Sequence, residues 1–322
     1  MNRALGLHYA GRPVPQATHR LGVYAHYDPR GEVKDYVVYC LEALRPLCDR
    51  LIFVSTAPLD EEARRRARLR SDVLLERSNV GLDFGMWQAA LSREVLADHD
   101  ELLLVNSSVF GPLWDLAPIV ARMNARACDF WGMTENFEPD WHLQSYFLMF
   151  KQPVLRSSIF ADFWASVLPY RDKFQVIRSY EVGLSLLLSD AGFLGEAAVP
   201  NRALFPPEPW DLFYRYKRRN ATCYYPERLL DRGMPFVKAH LLRDNPINIR
   251  LGPVWQHIQS SAYDERLIEF DHGRDGDGEV HDRFFRWLQR PLGAVVDRIL
   301  NQRRSSCRNG APSESRDWPS RG

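Results

Sequence analysis

The chain has 322 residues, of which 45% are hydrophobic and 26% are charged, as is usual for a soluble globular protein. Its 42 lysines and arginines balance 41 aspartates and glutamates, so a net charge of +1 gives no overall field that would favour a nucleic-acid partner. No apolar run approaches the roughly 20 residues that a membrane helix needs. The five cysteines are scattered, which is typical of a reduced, cytoplasmic protein.

Strand-like and helix-like segments alternate from Leu21 to Ser108. The predicted strands are residues 21–27, 50–56, 72–78 and 101–108, and the predicted helices are residues 32–47, 59–70 and 84–96. This alternation predicts a mainly parallel sheet with helices on both faces. Apolar runs such as LIFV and LLLV are typical of strands that are buried on both sides.

The spacing changes after Pro112. Strands predicted at residues 129–136 and 145–150 are close in sequence, which favours antiparallel or edge additions to the sheet. A helix follows within residues 176–193 and ends at Gly192, a common helix-stop residue. Residues 201–248 are rich in proline and aromatic residues, and we expect irregular structure or short helices there.

The domain organisation follows from these changes in composition. We expect an N-terminal extension over residues 1–20, the α/β domain over residues 21–250, a linker and helical segment over residues 251–304, and a disordered tail over residues 305–322. The predicted helix from Asp282 to Arg304 has apolar residues flanked by arginines. It could pack on the domain or lie at the inner face of the membrane.

Polar residues gather where the predicted strands end. His26 and Asp28 follow the first strand, Ser55 ends the second, and Asn106 and Ser108 end the fourth. In an open α/β sheet, ligands bind in the crevice beyond the carboxyl ends of the strands. Each residue alone is explained by a turn or a helix cap, but together they predict a binding site.

The third strand is followed by the stretch RSNVGLDFGMW, which holds Asn79, Gly81, Asp83 and Gly85. Glycine gives backbone freedom, and asparagine and aspartate cap helices, so turn chemistry explains the pattern. A ligand held by polar side chains on a tight backbone explains it equally well.

Several familiar sites are missing from the sequence. Neither the GxGxxG fingerprint nor the GxxxxGK[ST] phosphate loop follows the first strand, which argues against ordinary dinucleotide enzymes and ATPases. The GxSxG elbow of hydrolases is absent, and no His, Cys and Asp cluster has metal-ligand spacing.

Seven segments resemble, in this order, the rhamnan synthesis F family. They are AHYDPRGEVKDYVVYCLEAL, NVGLDFGMW, LLLVNSSVFGPL, CDFWGMTEN, HLQSYFLMF, YEVGLSLLLSDAGF and GMPFVKAHLLRDNP, and they extend from about Leu21 to Asn248. The resemblance implies a GT-A-like glycosyltransferase for rhamnose-containing cell-surface polysaccharide, with dTDP-rhamnose as donor and a lipid-linked or polysaccharide acceptor.

The resemblance also implies roles for single residues. The donor-binding residues would be His26, Asp28, Asn79, Gly81, Asp83, Asn106, Ser108 and Lys238. GT-A enzymes usually hold a divalent metal with carboxylates after the fourth strand, but here the sequence is Asn106-Ser107-Ser108. Amides and hydroxyls are poor ligands for Mg²⁺ or Mn²⁺, so we expect no metal or other cofactor. Lys238, Arg218 or Arg219 would then supply positive charge to the diphosphate.

Glu181 is the candidate catalytic base, and Asp83 is the alternative. It precedes the apolar run LSLLL, in the place where related enzymes carry a carboxylate that takes the proton of the acceptor hydroxyl. His142 and Gln144 are assigned to acceptor binding. Two classes of function compete, a rhamnosyltransferase and a non-catalytic module of a polysaccharide assembly complex. The presence of Asn79, Asp83 and Glu181 supports the first, whereas the missing carboxylates at residues 106–108 support the second.

Overall fold

A computed structural model describes residues 19–205 and 219–268 of the chain. Within them, eight strands form one sheet and two short strands form another. The strands are β1 Arg20–His26, β2 Arg50–Ser55, β3 Val73–Glu76, β4 Glu101–Asn106, β5 Val109–Phe110, β6 Phe130–Asn136, β7 His142–Leu143, β8 Phe147–Lys151, β9 Gly195–Val199 and β10 Val237–Lys238.

The large sheet is parallel in its first half and mixed in its second. Its order is β3-β2-β1-β4-β8-β6-β7, with β9 also paired to β6. The strands β1 to β4 are parallel, whereas β8 is antiparallel to both β4 and β6. The parallel sheet and the antiparallel additions predicted from the sequence are both confirmed.

The helices of the described residues are mostly short. They are α1 Asp35–Leu44, α2 Glu61–Arg68, α3 Leu82–Leu91, α4 Ala117–Asn124, α5 Gln152–Leu155, α6 Ser158–Ala165, α7 Lys173–Val176, α8 Gly183–Asp190, α9 Ala221–Tyr224, α10 Pro226–Asp231, α11 Ala239–Asp244 and α12 Gly252–Gln259. A π-helical turn, Ile177–Val182, joins α7 to α8. The short helices α9 to α11 confirm the expectation for residues 201–248, as far as these are described.

Two of the predicted helix bounds are wrong. Helix α3 ends at Leu91, not at Leu96, and Val95 is exposed beyond it. The helix that contains Glu181 begins at Lys173, where Asp172 caps it by accepting a hydrogen bond from the Gln175 amide at 2.8 Å. Its end is as predicted, because Gly192 adopts a positive φ of 91° that stops the helix.

Alternate residues of the central strands build a hydrophobic core on each face of the sheet. Leu103 and Val105 of β4 pack in the core that contains residues of α1, α2 and α4. Leu102 and Leu104 pack in the opposite core, with residues of α3, α6 and α8. All four side chains are at most 1% exposed, and full burial of such a side chain contributes about 1.5–3 kcal/mol.

A third core extends the body beyond residue 250. Val254 and Ile258 of α12 pack with Phe110 of β5 and Leu241 of α11. The packed body therefore continues to residue 268, past the domain boundary predicted from composition. The predicted N-terminal extension, the predicted helix from Asp282 to Arg304 and the predicted tail fall outside the described residues, apart from the last two residues of the extension. In the described part of the chain, no helix is long and apolar enough to cross a membrane.

Candidate functional site

The candidate site lies at the carboxyl ends of the parallel strands, where the turn after β4 meets the start of α3. Asn106 is buried at the end of β4, and its side-chain amide donates a hydrogen bond to Asp83 Oδ2 at 2.8 Å. The two polar residues predicted from separate strand ends are therefore in direct contact.

Asn106 also shapes the turn that follows it. Its Oδ1 accepts hydrogen bonds from the Ser108 amide at 3.1 Å and the Ser108 hydroxyl at 2.6 Å. Ser107 Oγ accepts from the Tyr27 amide at 3.4 Å, which ties the turn to the end of β1. The side chains of residues 106–108 thus support the crevice, and Ser108 is exposed at its surface.

The glycines Gly81 and Gly85 bring backbones close together. Gly81 has a φ of 79° and donates its amide to Tyr170 O at 3.0 Å. A Cβ on Gly85 would lie 2.6 Å from Val80 O, a distance that side chains do not reach without a shift. The two glycines therefore have a packing role. They let the turn join the start of α3 to the segment before α7, and the turn places Asp83 at the crevice.

Lys238 reaches the same crevice from the small sheet. Strand β10 pairs antiparallel with β5 so that Lys238 lies opposite Val109, and the Ala239 amide donates to Ser108 O at 2.9 Å. The Lys238 ammonium lies 3.4 Å from Ser108 Oγ and 4.3 Å from the centroid of the Tyr146 ring. Contacts of this kind between an ammonium and an aromatic face are attractive.

Glu181 lies in the π-helical turn between α7 and α8, inside the helical segment and not just before it. Its Oε1 accepts a hydrogen bond from the Ser145 amide at 2.8 Å. The hydroxyl of its neighbour Tyr180 contacts the backbone of Leu168 and faces away. Single π-helical turns inside helices occur frequently at functional sites.

The charges of these side chains act on one another. Burial raises the pKa of Asp83 to about 6, and the charge of Glu181 also raises it, whereas Lys173, Lys238 and the hydrogen bond from Asn106 lower it. Burial lowers the pKa of Lys238 to about 8, against the opposite effect of Glu181 and Asp83. Two carboxylates and two ammonium groups therefore lie within range of one another.

Two of the predicted donor-binding residues are buried and have partners inside the protein. His26 is 1% exposed, its Nδ1 lies 3.0 Å from Ser55 Oγ, and burial lowers its pKa to about 4. Asp28 accepts the amide hydrogens of Arg30 and Glu32 at 2.8 and 3.2 Å. Its other carboxylate oxygen lies 3.5 Å from Lys34 Nζ.

His142 and Gln144 are buried next to the crevice. His142 Nδ1 lies 2.8 Å from Asp140 O at the edge of the sheet. Gln144 Oε1 accepts from Thr134 Oγ1 at 2.7 Å, and its amide donates to Asn220 Oδ1 at 3.4 Å. These polar groups have partners inside the protein.

The remaining candidates are more exposed. Asn79 is exposed in the loop between β3 and α3. Arg219 is also exposed, and its guanidinium lies 4.7 Å from the centroid of the Tyr224 ring, while Arg218 lies outside the described residues. Lys173 and Tyr146 were not predicted from the sequence, because their place in the crevice depends on contacts between distant segments.

The turn after β4 offers no carboxylate to a divalent metal ion. GT-A-like proteins usually have metal-binding carboxylates after the fourth strand, where this chain has Asn106, Ser107 and Ser108. The backbone amide and the hydroxyl of Ser108 both donate hydrogen bonds to the side-chain oxygen of Asn106, and the Lys238 ammonium lies beside the Ser108 hydroxyl. Within the described ranges, no three His, Cys, Asp or Glu side chains could hold a metal.

The fold and the site define a class. One continuous α/β sheet, parallel where the polar crevice lies and extended by antiparallel strands, is GT-A-like. The chain belongs to the rhamnan synthesis protein F family, whose sequence profile matches residues 51–274.

Two relatives show how much sequence is shared. The chain is 31% identical over 173 residues to the uncharacterized protein y4gN of Sinorhizobium fredii, a match that covers 52% of this chain and 45% of that protein. It is 28% identical over 198 residues to the virulence protein VirA of Vibrio anguillarum, covering 54% of this chain and 64% of that protein. The chain spans less than two thirds of either relative.

Among solved structures, the chain is similar to glucosyl-3-phosphoglycerate synthase from Mycobacterium tuberculosis, in complex with Mn²⁺, uridine-diphosphate and phosphoglyceric acid. The identity is 13% and the TM-score is 0.38, over 67% of this chain and 78% of that chain.

Proposed function

We propose that this chain is an inverting glycosyltransferase that transfers rhamnose from dTDP-rhamnose to a lipid-linked or polysaccharide acceptor during synthesis of a cell-surface polysaccharide. Membership of the rhamnan synthesis protein F family supports the pathway. The observation that carries the proposal is the convergence of Asp83, Glu181 and Lys238 at the carboxyl ends of the parallel strands.

The donor nucleoside binds between the ends of β1 and β4 and the start of α3. Asp83 accepts a hydrogen bond from the nucleoside, and the exposed Asn79 closes the outer side. His26 and Asp28 are buried and act by holding the loops in place. Unpaired polar groups in such a site cost about 1–3 kcal/mol each, so loss of the Asp83 carboxylate weakens donor binding.

Glu181 is the general base. The acceptor hydroxyl gives its proton to the carboxylate while its oxygen bonds to the anomeric carbon, and the bond from that carbon to the diphosphate breaks with its electron pair on the leaving group. The Ser145 amide holds one carboxylate oxygen at 2.8 Å and so fixes the orientation of the base. His142 and Gln144 are buried behind the acceptor side of the crevice and hold its surface residues in place.

Purified protein is tested with dTDP-rhamnose, UDP-glucose and GDP-mannose, and release of nucleoside diphosphate is measured. We expect release from dTDP-rhamnose to be fastest, and NMR should show a product with the anomeric configuration opposite to that of the donor. Retained configuration would contradict the inverting mechanism, and preference for another donor would contradict rhamnosyl transfer.

The second candidate is a non-catalytic module of a polysaccharide assembly complex. The absence of carboxylates at Asn106, Ser107 and Ser108 favours it, because related enzymes place the metal there. This alternative predicts that dTDP-rhamnose binds without release of dTDP, with or without Mg²⁺ or Mn²⁺.

A further inference from the structure

A positive charge beside the turn after β4 comes from a lysine that the backbone holds in place. The backbone on both sides of Lys238 is held in place, because its own strand pairs with β5 and the amide of the next residue, Ala239, donates a hydrogen bond to Ser108 O at 2.9 Å. Its ammonium lies over the face of Tyr146, a fully buried residue, and beside Ser108 Oγ. The group therefore occupies a defined position at the surface of the crevice.

A second lysine follows a segment that is hydrogen-bonded to the Asp83 turn. Lys173 is exposed at the first position of α7, and the segment before it is joined to the turn by the hydrogen bond from Gly81 N to Tyr170 O at 3.0 Å. Its charge acts on both Asp83 and Lys238. An anion placed between the two ammonium groups would be attracted by both.

We propose that Lys238, assisted by Lys173, binds the diphosphate of the donor in place of a divalent metal ion. The inference rests on the proposed function and adds to it the group that stabilises the leaving nucleoside diphosphate. As the bond between the anomeric carbon and the diphosphate breaks, negative charge grows on the diphosphate oxygen, and the ammonium groups stabilise it.

The charges around Lys238 keep it suitable for this task. The carboxylates of Asp83 and Glu181 favour its charged form, whereas burial, the strongest effect, and Lys173 oppose it, leaving a pKa of about 8. The Cys223 thiol, whose pKa burial raises to about 11, and His240, whose pKa burial lowers to about 4, are neutral near pH 7. Lys238 is therefore mostly an ammonium at neutral pH and loses its charge above pH 8.

Calorimetry in excess EDTA tests the proposal with thymidine, dTDP and inorganic pyrophosphate as probes. We expect the parent protein to bind dTDP more tightly than thymidine. Lys238→Met should weaken dTDP and pyrophosphate binding about 10-fold or more and leave thymidine unchanged, because hydrogen bonds to charged groups contribute that much. Lys173→Met should have a smaller effect in the same direction.

Two further variants separate charge from folding. Lys238→Arg should restore dTDP binding and abolish its decline above pH 8, since a guanidinium stays charged there. Arg68→Met removes one positive charge from an exposed side chain of α2 and should change nothing.

Two results would overturn the proposal. One is dTDP binding that is lost in EDTA, restored by Mg²⁺ or Mn²⁺ and insensitive to Lys238→Met, in which case rhamnosyl transfer could still stand. The other is a failure of dTDP and pyrophosphate to bind under any condition, which would refute the proposed function as well.

Discussion

Replacement of Glu181 by glutamine tests the chemistry most directly. Glutamine has nearly the same shape, and its Oε1 can still accept the hydrogen bond that Ser145 donates to Glu181 at 2.8 Å. The variant should therefore fold like the parent, while its amide cannot take a proton. General-base catalysis contributes about 10²–10⁴-fold, which corresponds to about 2.7–5.5 kcal/mol of activation free energy at about 1.36 kcal/mol for each factor of ten.

The assay follows release of dTDP from dTDP-rhamnose, because water as acceptor must lose a proton just as a sugar hydroxyl must. Turnover of Glu181→Gln should fall by about 10²–10⁴-fold, while calorimetry shows nearly unchanged affinity for dTDP. Glu227→Gln makes the same chemical change at an exposed position of α10 and should leave turnover intact. A Glu181→Gln variant that releases dTDP at close to the parent rate would refute the assignment and leave Asp83 as the next candidate base.

Two further predictions concern stability. Because burial raises the pKa of Asp83 from 3.8 to about 6, the folded state binds its proton more tightly, and the charged carboxylate destabilises the fold above pH 6 but not below about pH 3.8. Asp83→Asn should thus increase the free energy of unfolding at pH 8 by about 1 kcal/mol, once the partial exposure of the side chain is considered, and so raise the melting temperature. An equal gain at both ends of the pH range would contradict this. Gly85→Ala should destabilise the fold by about 1–3 kcal/mol, since its Cβ would meet Val80 O at 2.6 Å. Gly183→Ala, whose Cβ would have no neighbour closer than 3.6 Å, should stabilise its helix by about 0.5–1 kcal/mol in the same denaturant titration.

The parallel half of the sheet was predictable because its signals are local. The run Leu102 to Val105 is apolar at every position, as a strand buried on both faces requires, and the structure buries all four side chains. The topology predicted that Asp83 and Asn106 lie at the same edge of the sheet, since parallel strands end there, whereas the hydrogen bond between them is seen only in the structure.

The other half of the site depends on contacts that no local pattern records. Lys238 reaches the crevice through a two-residue ladder between β10 and β5, segments that are distant in the chain. Glu181 was placed at a helix start because the apolar run LSLLL begins just after it, but the π-helical turn shifts the periodicity, and the helix begins at Lys173. The end predicted for α3 was wrong because the apolar Val95 continued the helical pattern of apolar residues into a segment where Val95 is exposed.

The turn at Gly81 and Asp83 connects the two sides of the proposed reaction. The Asp83 carboxylate accepts a hydrogen bond from Asn106, on the proposed donor side. The Gly81 amide donates a hydrogen bond to Tyr170 O, just before the helix that carries Glu181. A displacement with inversion needs the base and the leaving group on opposite sides of the anomeric carbon, and small errors in this alignment are costly. Because one tight turn is hydrogen-bonded to both elements, backbone packing fixes the distance between the proposed donor site and the proposed base. This explains why the stretch contains two glycines around an acid, since a side chain on Gly85 would push α3 away from the loop that positions it.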